Sequence, residues 1–128
     1  RWRQKIMFNW SQVAFRNIRM EEVQGVEVGS PYRIEAEVFL GELGPEDVAV
    51  EIYGGHVDSS GRFLDRFVQP VQAVESMPDG VHRYREDFRF EEAGHFGLNI
   101  RVIPNHPNPE SRHAMGLVVW GDMNDRAD

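Results

Sequence analysis

The residues able to do chemistry are scattered along this chain. The five histidines are His56, His82, His95, His106 and His113. None belongs to a His-Glu-x-x-His pair, and no two have the spacing of a common zinc motif. His106 and His113 flank one loop that could bring them together, but the plain reading is surface loop histidines. Glu91-Glu92 reads as a solvated turn rather than an acid–base pair. Ser59-Ser60 precedes Gly61 at a hairpin tip, without the strand-turn-helix setting of a nucleophile elbow. The glycines form neither a dinucleotide fingerprint nor a phosphate loop. Lys5 is the only lysine, and it lies in a terminal segment among Arg1 and Arg3, not in the kind of pocket that Schiff-base chemistry needs. No catalytic, cofactor-binding or metal-binding residue is therefore expected.

Aromatic side chains are the other chemical resource, because sugar rings stack on exposed Trp and Tyr faces. Trp2, Trp10, Trp120 and Tyr53 are the candidates. Trp120 ends an apolar run and reads as core or sheet-edge packing. Tyr53 falls on the strand face opposite Val50 and Ile52, which makes it the candidate glycan contact.

These side chains must be positioned by a chain whose hydrophobic period changes early. Residues 1–12 place Trp2, Ile6 and Trp10 at helical spacing, predicting a short N-terminal helix or linker that offers Trp2 and Trp10 as docking anchors. From Val13 the period is two. Val13, Phe15 and Ile18 predict a strand bent or bulged near Asn17, and Gly29-Ser30-Pro31 a turn. Tyr32, Ile34, Ala36, Val38 and Leu40 alternate with Arg33, Glu35, Glu37 and Phe39, giving one apolar and one largely charged face. Gly41 to Asp47 reads as a loop, and Val48, Val50 and Ile52 as the next strand, before Gly54-Gly55. Asp58-Ser59-Ser60-Gly61 is a hairpin turn.

Phe63 and Val68 to Val74 return as strands, and Pro70 favours an edge position. Pro78-Asp79-Gly80 turns the chain again. Tyr84, Phe88 and Phe90 share one face, and Phe96, Leu98, Ile100 and Val102 another; Arg101, like Glu35, falls on a solvent face. The loop from Pro104 to Arg112 is proline-rich, and Leu117 to Trp120 closes the fold. The expectation is one all-β domain, an immunoglobulin-like antiparallel sandwich of seven to eight strands over residues 13–121 with a tail at 122–128. Its tyrosine corner, at Glu92-Ala93-Gly94-His95-Phe96, would be degenerate because Phe96 lacks a hydroxyl.

At 128 residues the chain suits a single domain. It contains no cysteine, which removes disulfides and thiolate chemistry and points to a reducing, cytoplasmic setting. The net charge is −7, and the arginines alternate with acids instead of clustering, so nucleic acid is not an expected partner. No apolar run approaches the roughly 20 residues that span a bilayer, so no membrane partner is expected either. The opening Arg1-Trp2, in place of methionine, makes a fragment of a longer chain the expectation.

Several stretches then carry a family likeness. They are Trp2-Arg3-Gln4-Lys5-Ile6 with Asn9-Trp10-Ser11-Gln12-Val13, then Leu40-Gly41-Glu42-Leu43-Gly44-Pro45-Glu46-Asp47-Val48. Glu51-Ile52-Tyr53-Gly54-Gly55, Val57-Asp58-Ser59-Ser60-Gly61 and Tyr84-Arg85 follow. The series ends with Ala93 to Val102, His106-Pro107 and Gly116-Leu117-Val118-Val119-Trp120. In order and over nearly the whole chain, the set resembles the C-terminal extension of bacterial and archaeal α-glucan (glycogen or maltodextrin) phosphorylases. The resemblance implies a parent enzyme that uses pyridoxal phosphate to cleave α-1,4-glucans with phosphate, yielding glucose 1-phosphate. It implies that the cofactor and catalytic residues belong to other domains, so none is carried to this chain. The extension itself is read as a non-catalytic accessory domain that packs on the catalytic part of the parent or mediates assembly; the alternative is a carbohydrate-binding module for α-glucans.

Overall fold

The structure is a computed structural model, and it describes residues 1–22, 31–89, 94–111, 113 and 115–122. A helix, α1 (Trp2–Asn9), runs into a single tighter turn at Trp10–Gln12. Among the described residues seven strands follow: β1 (Ala14–Glu22), β2 (Pro31–Phe39), β3 (Val48–His56), β4 (Phe67–Ser76), β5 (Val81–Arg89), β6 (Phe96–Pro104) and β7 (Val119–Trp120). All pairings are antiparallel, in the order β1-β2-β5-β4-β3-β6-β7. The expected antiparallel sandwich with one short helix is what the chain forms.

Strand β4 joins the two sheets. Its first half pairs with β3 from Phe67 to Val71, and its second half with β5 from Gln72 to Ser76. The ladder is thus continuous on that side, and the sandwich is a nearly closed barrel. Pro70 lies in the half of β4 that pairs with β3, opposite Glu51, and β5 joins only beyond it. This local edge tolerates a residue without an N–H. At the other side Gly121 fits against Ile100 and Ile18; a Cβ there would come within 2.5 Å and 2.7 Å of their side chains.

The core follows from the period of two. Ile34, Ala36 and Val38 of β2, Val50 and Ile52 of β3, Tyr84 and Phe88 of β5, and Ile100 and Val102 of β6 are all buried in one cluster. Burial of each large aliphatic side chain contributes about 1.5–3 kcal/mol. The register of β1 shifts between Phe15 and Asn17, the bulge expected there. On the outer face of the β1-β2-β5-β4 sheet the charges form an ion-pair lattice. Arg19 bonds Glu35, Arg33 meets Asp87 at 2.8 Å, and Arg83 bridges Glu37 and Glu75.

Both predicted hairpin turns form. Asp58 Oδ1 accepts bonds from the Ser60 N–H, the Ser60 hydroxyl and the Arg62 N–H at 2.8–2.9 Å. Asp79 and Gly80 turn the chain at positive φ of 65° and 80°. Strand β3 runs further than expected, through Gly54 and Gly55 to His56. These glycines admit close neighbours instead of ending the strand: a Cβ on Gly55 would lie 2.0 Å from the Asp65 carbonyl oxygen. The turn at Gly29-Ser30, Phe90, Glu91-Glu92, most of the degenerate tyrosine corner, Arg112 and the tail from Met123 fall outside the described residues.

Candidate functional site

Helix α1 caps one end of the sandwich. Trp2, Ile6 and Trp10 recur every four residues and face inward, where Ile6 and Trp10 join the core cluster and Trp2 packs against it. Trp10 is 8% exposed, and Trp2 meets His106 edge-on at 5.4 Å. The tryptophans expected to anchor a partner thus cover their own domain. What the helix presents outward is Met7 and Phe8, 58% and 82% exposed. Polar contacts fix its seat: Lys5 Nζ lies 3.2 Å from the carboxylate of buried Asp47, which also accepts the Gly44 N–H at 2.9 Å. Asn9 Nδ2 donates to the Lys5 carbonyl at 2.9 Å.

That placement also answers whether pyridoxal phosphate fits this chain. A Schiff base needs a lysine that can release its proton within a pocket. Lys5 is half-exposed, and its Nζ lies against the Asp47 carboxylate at the surface rather than within a pocket. The residues here do not fit the cofactor.

The outer face of the β4-β3-β6-β7 sheet carries a second feature. Tyr53 on β3 stands edge-to-face with Phe63 at 5.7 Å and with Trp120 at 5.5 Å. Phe63 reaches Tyr53 because the hairpin after β3 folds back over Gly97, whose missing Cβ would sit 3.3 Å from the Phe63 ring. Arg101 on β6 lies over both remaining rings, 5.0 Å from the Tyr53 centroid and 5.6 Å from that of Trp120. Its guanidinium bonds Glu51 at 2.8–2.9 Å. The Arg101 side chain is only 12% exposed, so its expected place on an open solvent face is corrected: rings cover it. Tyr53 does lie opposite Val50 and Ile52. Trp120 is on the outer face at the sheet edge, 38% exposed. The alternation located Tyr53; its neighbours are set by strand register and a loop fold-back, which no local pattern signals.

The histidines have separate surroundings. His56 Nδ1 lies 2.8 Å from Asp65, whose carboxylate also accepts the His56 N–H at 2.7 Å; these bonds, the backbone one first, hold the Asp65 carboxyl below its usual range. His82 faces Ser76, His106 faces Trp2, and His95 and His113 are exposed. Among the described residues no three His, Asp or Glu side chains are gathered to hold a metal ion. Ser60 is bound into its turn by Asp58. Tyr84 is buried with an unpartnered hydroxyl, and burial, with the charge of Glu46, raises its pKa to about 12. No described helix is long and apolar enough to cross a membrane.

Comparison with known proteins adds the family. Residues 10–122 match the model described as the glycogen phosphorylase C-terminal domain. The chain is 31% identical to the maltodextrin phosphorylase of Thermococcus litoralis over 123 residues, which is 93% of this chain and 14% of that protein. It is 29% identical to the glycogen phosphorylase of Mycobacterium bovis over 92 residues, 72% of this chain and 11% of that one. Against the glycogen phosphorylase of Mycobacterium tuberculosis the identity is 28% over the same shares. The chain thus spans no more than about a seventh of the relatives it matches.

Proposed function

Because the chain belongs to the glycogen phosphorylase C-terminal domain family, we propose that it is the non-catalytic accessory domain of an α-glucan phosphorylase and docks on that enzyme's catalytic part through helix α1. The parent reaction is phosphorolysis of α-1,4-glucans to glucose 1-phosphate, with pyridoxal phosphate held elsewhere in the enzyme. A cytoplasmic location belongs to the same proposal, in keeping with a cysteine-free chain. The division of strands, β1-β2-β5 against β3-β6-β7, supports reading the sandwich as immunoglobulin-like.

One observation carries the docking. Met7 and Phe8 project outward from a helix whose opposite side is already buried in its own core. A phenylalanine this exposed contributes nothing to the sandwich it sits on, and burying it against a partner would gain about 1.5–3 kcal/mol. The test is the double substitution Met7→Ser and Phe8→Ser. The isolated chain is expected to melt as before, whereas the complete phosphorylase carrying the change melts earlier. An unaltered melt of the complete enzyme would overturn the docking.

A further inference from the structure

We propose that the outer face of the β4-β3-β6-β7 sheet binds an α-1,4-glucan chain, laid across Tyr53 and Trp120, whose hydroxyl and indole N–H supply the hydrogen-bonding edge while the covered Arg101–Glu51 pair holds the rings in place. The identity of the ligand rests on the phosphorylase reading. The site itself rests on the arrangement of the side chains.

A pyranose ring presents apolar C–H faces and a rim of hydroxyls. It is matched by an aromatic ring with polar groups next to it. Here two amphipathic rings stand 5.5 Å apart in perpendicular planes, each bringing a polar group of its own, the Tyr53 hydroxyl and the Trp120 indole N–H, and they cover the Arg101–Glu51 pair bonded at 2.8 Å. The rings are held in place before any ligand arrives. Phe63 braces Tyr53 from the hairpin, and the Arg101 cation lies over Tyr53 and Trp120 together, so little side-chain freedom remains to be lost on binding. Val68, directly across from Tyr53 on β4 and exposed, extends the apolar track.

The two faces of the molecule differ in kind. The opposite sheet presents paired arginines and carboxylates, as between Arg33 and Asp87.

The experiment is titration of the chain with maltoheptaose, followed by amide NMR shifts. A saturable response centred on Tyr53, Phe63 and Trp120 is expected. Trp120→Ala and Tyr53→Leu should each weaken it about tenfold or more, the loss of one aromatic contact. Arg33→Ala on the other sheet should leave it intact. Should Trp120→Ala fail to fold, Tyr53→Leu keeps the bulk at the site and serves alone.

The proposal is overturned by a folded chain that does not respond, or by a response mapped elsewhere. Equal binding of the β-linked cellohexaose overturns the α-glucan assignment. Shifts at these residues on raising protein concentration without sugar overturn it too, assigning the face to a second copy. The complete phosphorylase is assayed alongside. If it releases glucose 1-phosphate from maltodextrin while the chain binds no maltoheptaose, only this site fails. If it releases none, the reading beneath it fails.

Discussion

Trp10 and Phe8 lie two residues apart on the chain and should answer truncation in opposite ways. Trp10→Ala opens a cavity in the core and is expected to cost about 3–5 kcal/mol, measured by denaturant unfolding. Phe8→Ala, at a side chain 82% exposed, should change the isolated chain by no more than about 0.5 kcal/mol. Equal losses would show that α1 is seated the other way round. The sequence does not reveal which side of α1 turns inward, because Trp2, Ile6, Met7, Phe8 and Trp10 put apolar groups nearly all round it. The Lys5–Asp47 contact and the packing of Trp2 on His106 mark the face that turns inward. Tyr84 supplies a test with a pH sign. Its folded pKa, pushed up to about 12, exceeds the ordinary value of 10.0. The folded state therefore keeps a proton that the unfolded state releases, and stability falls as pH rises from about 10 toward 12. Tyr84→Phe should flatten that alkaline slope. Because the hydroxyl has no partner, it should not destabilise the protein at neutral pH. Retention of the alkaline slope in Tyr84→Phe would place its cause elsewhere.

Among the elements, β2 and β6 were the most readable in the sequence and β3 the least. A strand with one wet face announces itself: Ile34, Ala36 and Val38 are buried exactly out of phase with Arg33, Glu35 and Glu37. Strand β3 hides its second half behind Gly54-Gly55, a pair that reads as a strand end until Asp65 and Leu98 are seen to press against it. The same closeness makes a prediction. Gly55→Ala would drive a methyl group into the Asp65 backbone and should detach the hairpin that carries Phe63, visible as lost Tyr53 and Phe63 contacts in NMR. If those contacts survive, the hairpin has room the structure denies it. In the core, Ile34→Ala, Ile52→Ala and Ile100→Ala should each cost about 2–5 kcal/mol. Arg101 was legible as an outward residue but not as a covered one, since its roof comes from β3 and β7. Arg101→Ala leaves the buried Glu51 carboxylate without its cation and should cost as much as a core truncation, about 3–5 kcal/mol. A loss within about 0.5 kcal/mol would put the pair in open solvent.

At the scale of the whole molecule, charge and docking separate cleanly. Asp58, Asp65 and Asp87 are held below the usual carboxylate range, Asp58 by the Arg62 N–H and Ser60, Asp65 by the His56 N–H and ring, and Asp87 by its bond to Arg33. A depressed folded pKa contributes stability that is complete above the unfolded value near 3.9 and is lost as pH falls through the folded one. The melting temperature should therefore drop in acid below about pH 4, while staying level in the neutral range on account of these groups. The central claim, however, concerns what α1 meets. The most direct measurement is calorimetric titration of the isolated chain into the phosphorylase catalytic part prepared without it. The account predicts saturable binding that Met7→Ser with Phe8→Ser abolishes while the chain still melts normally. Absence of binding, or binding that this substitution leaves untouched, would contradict it.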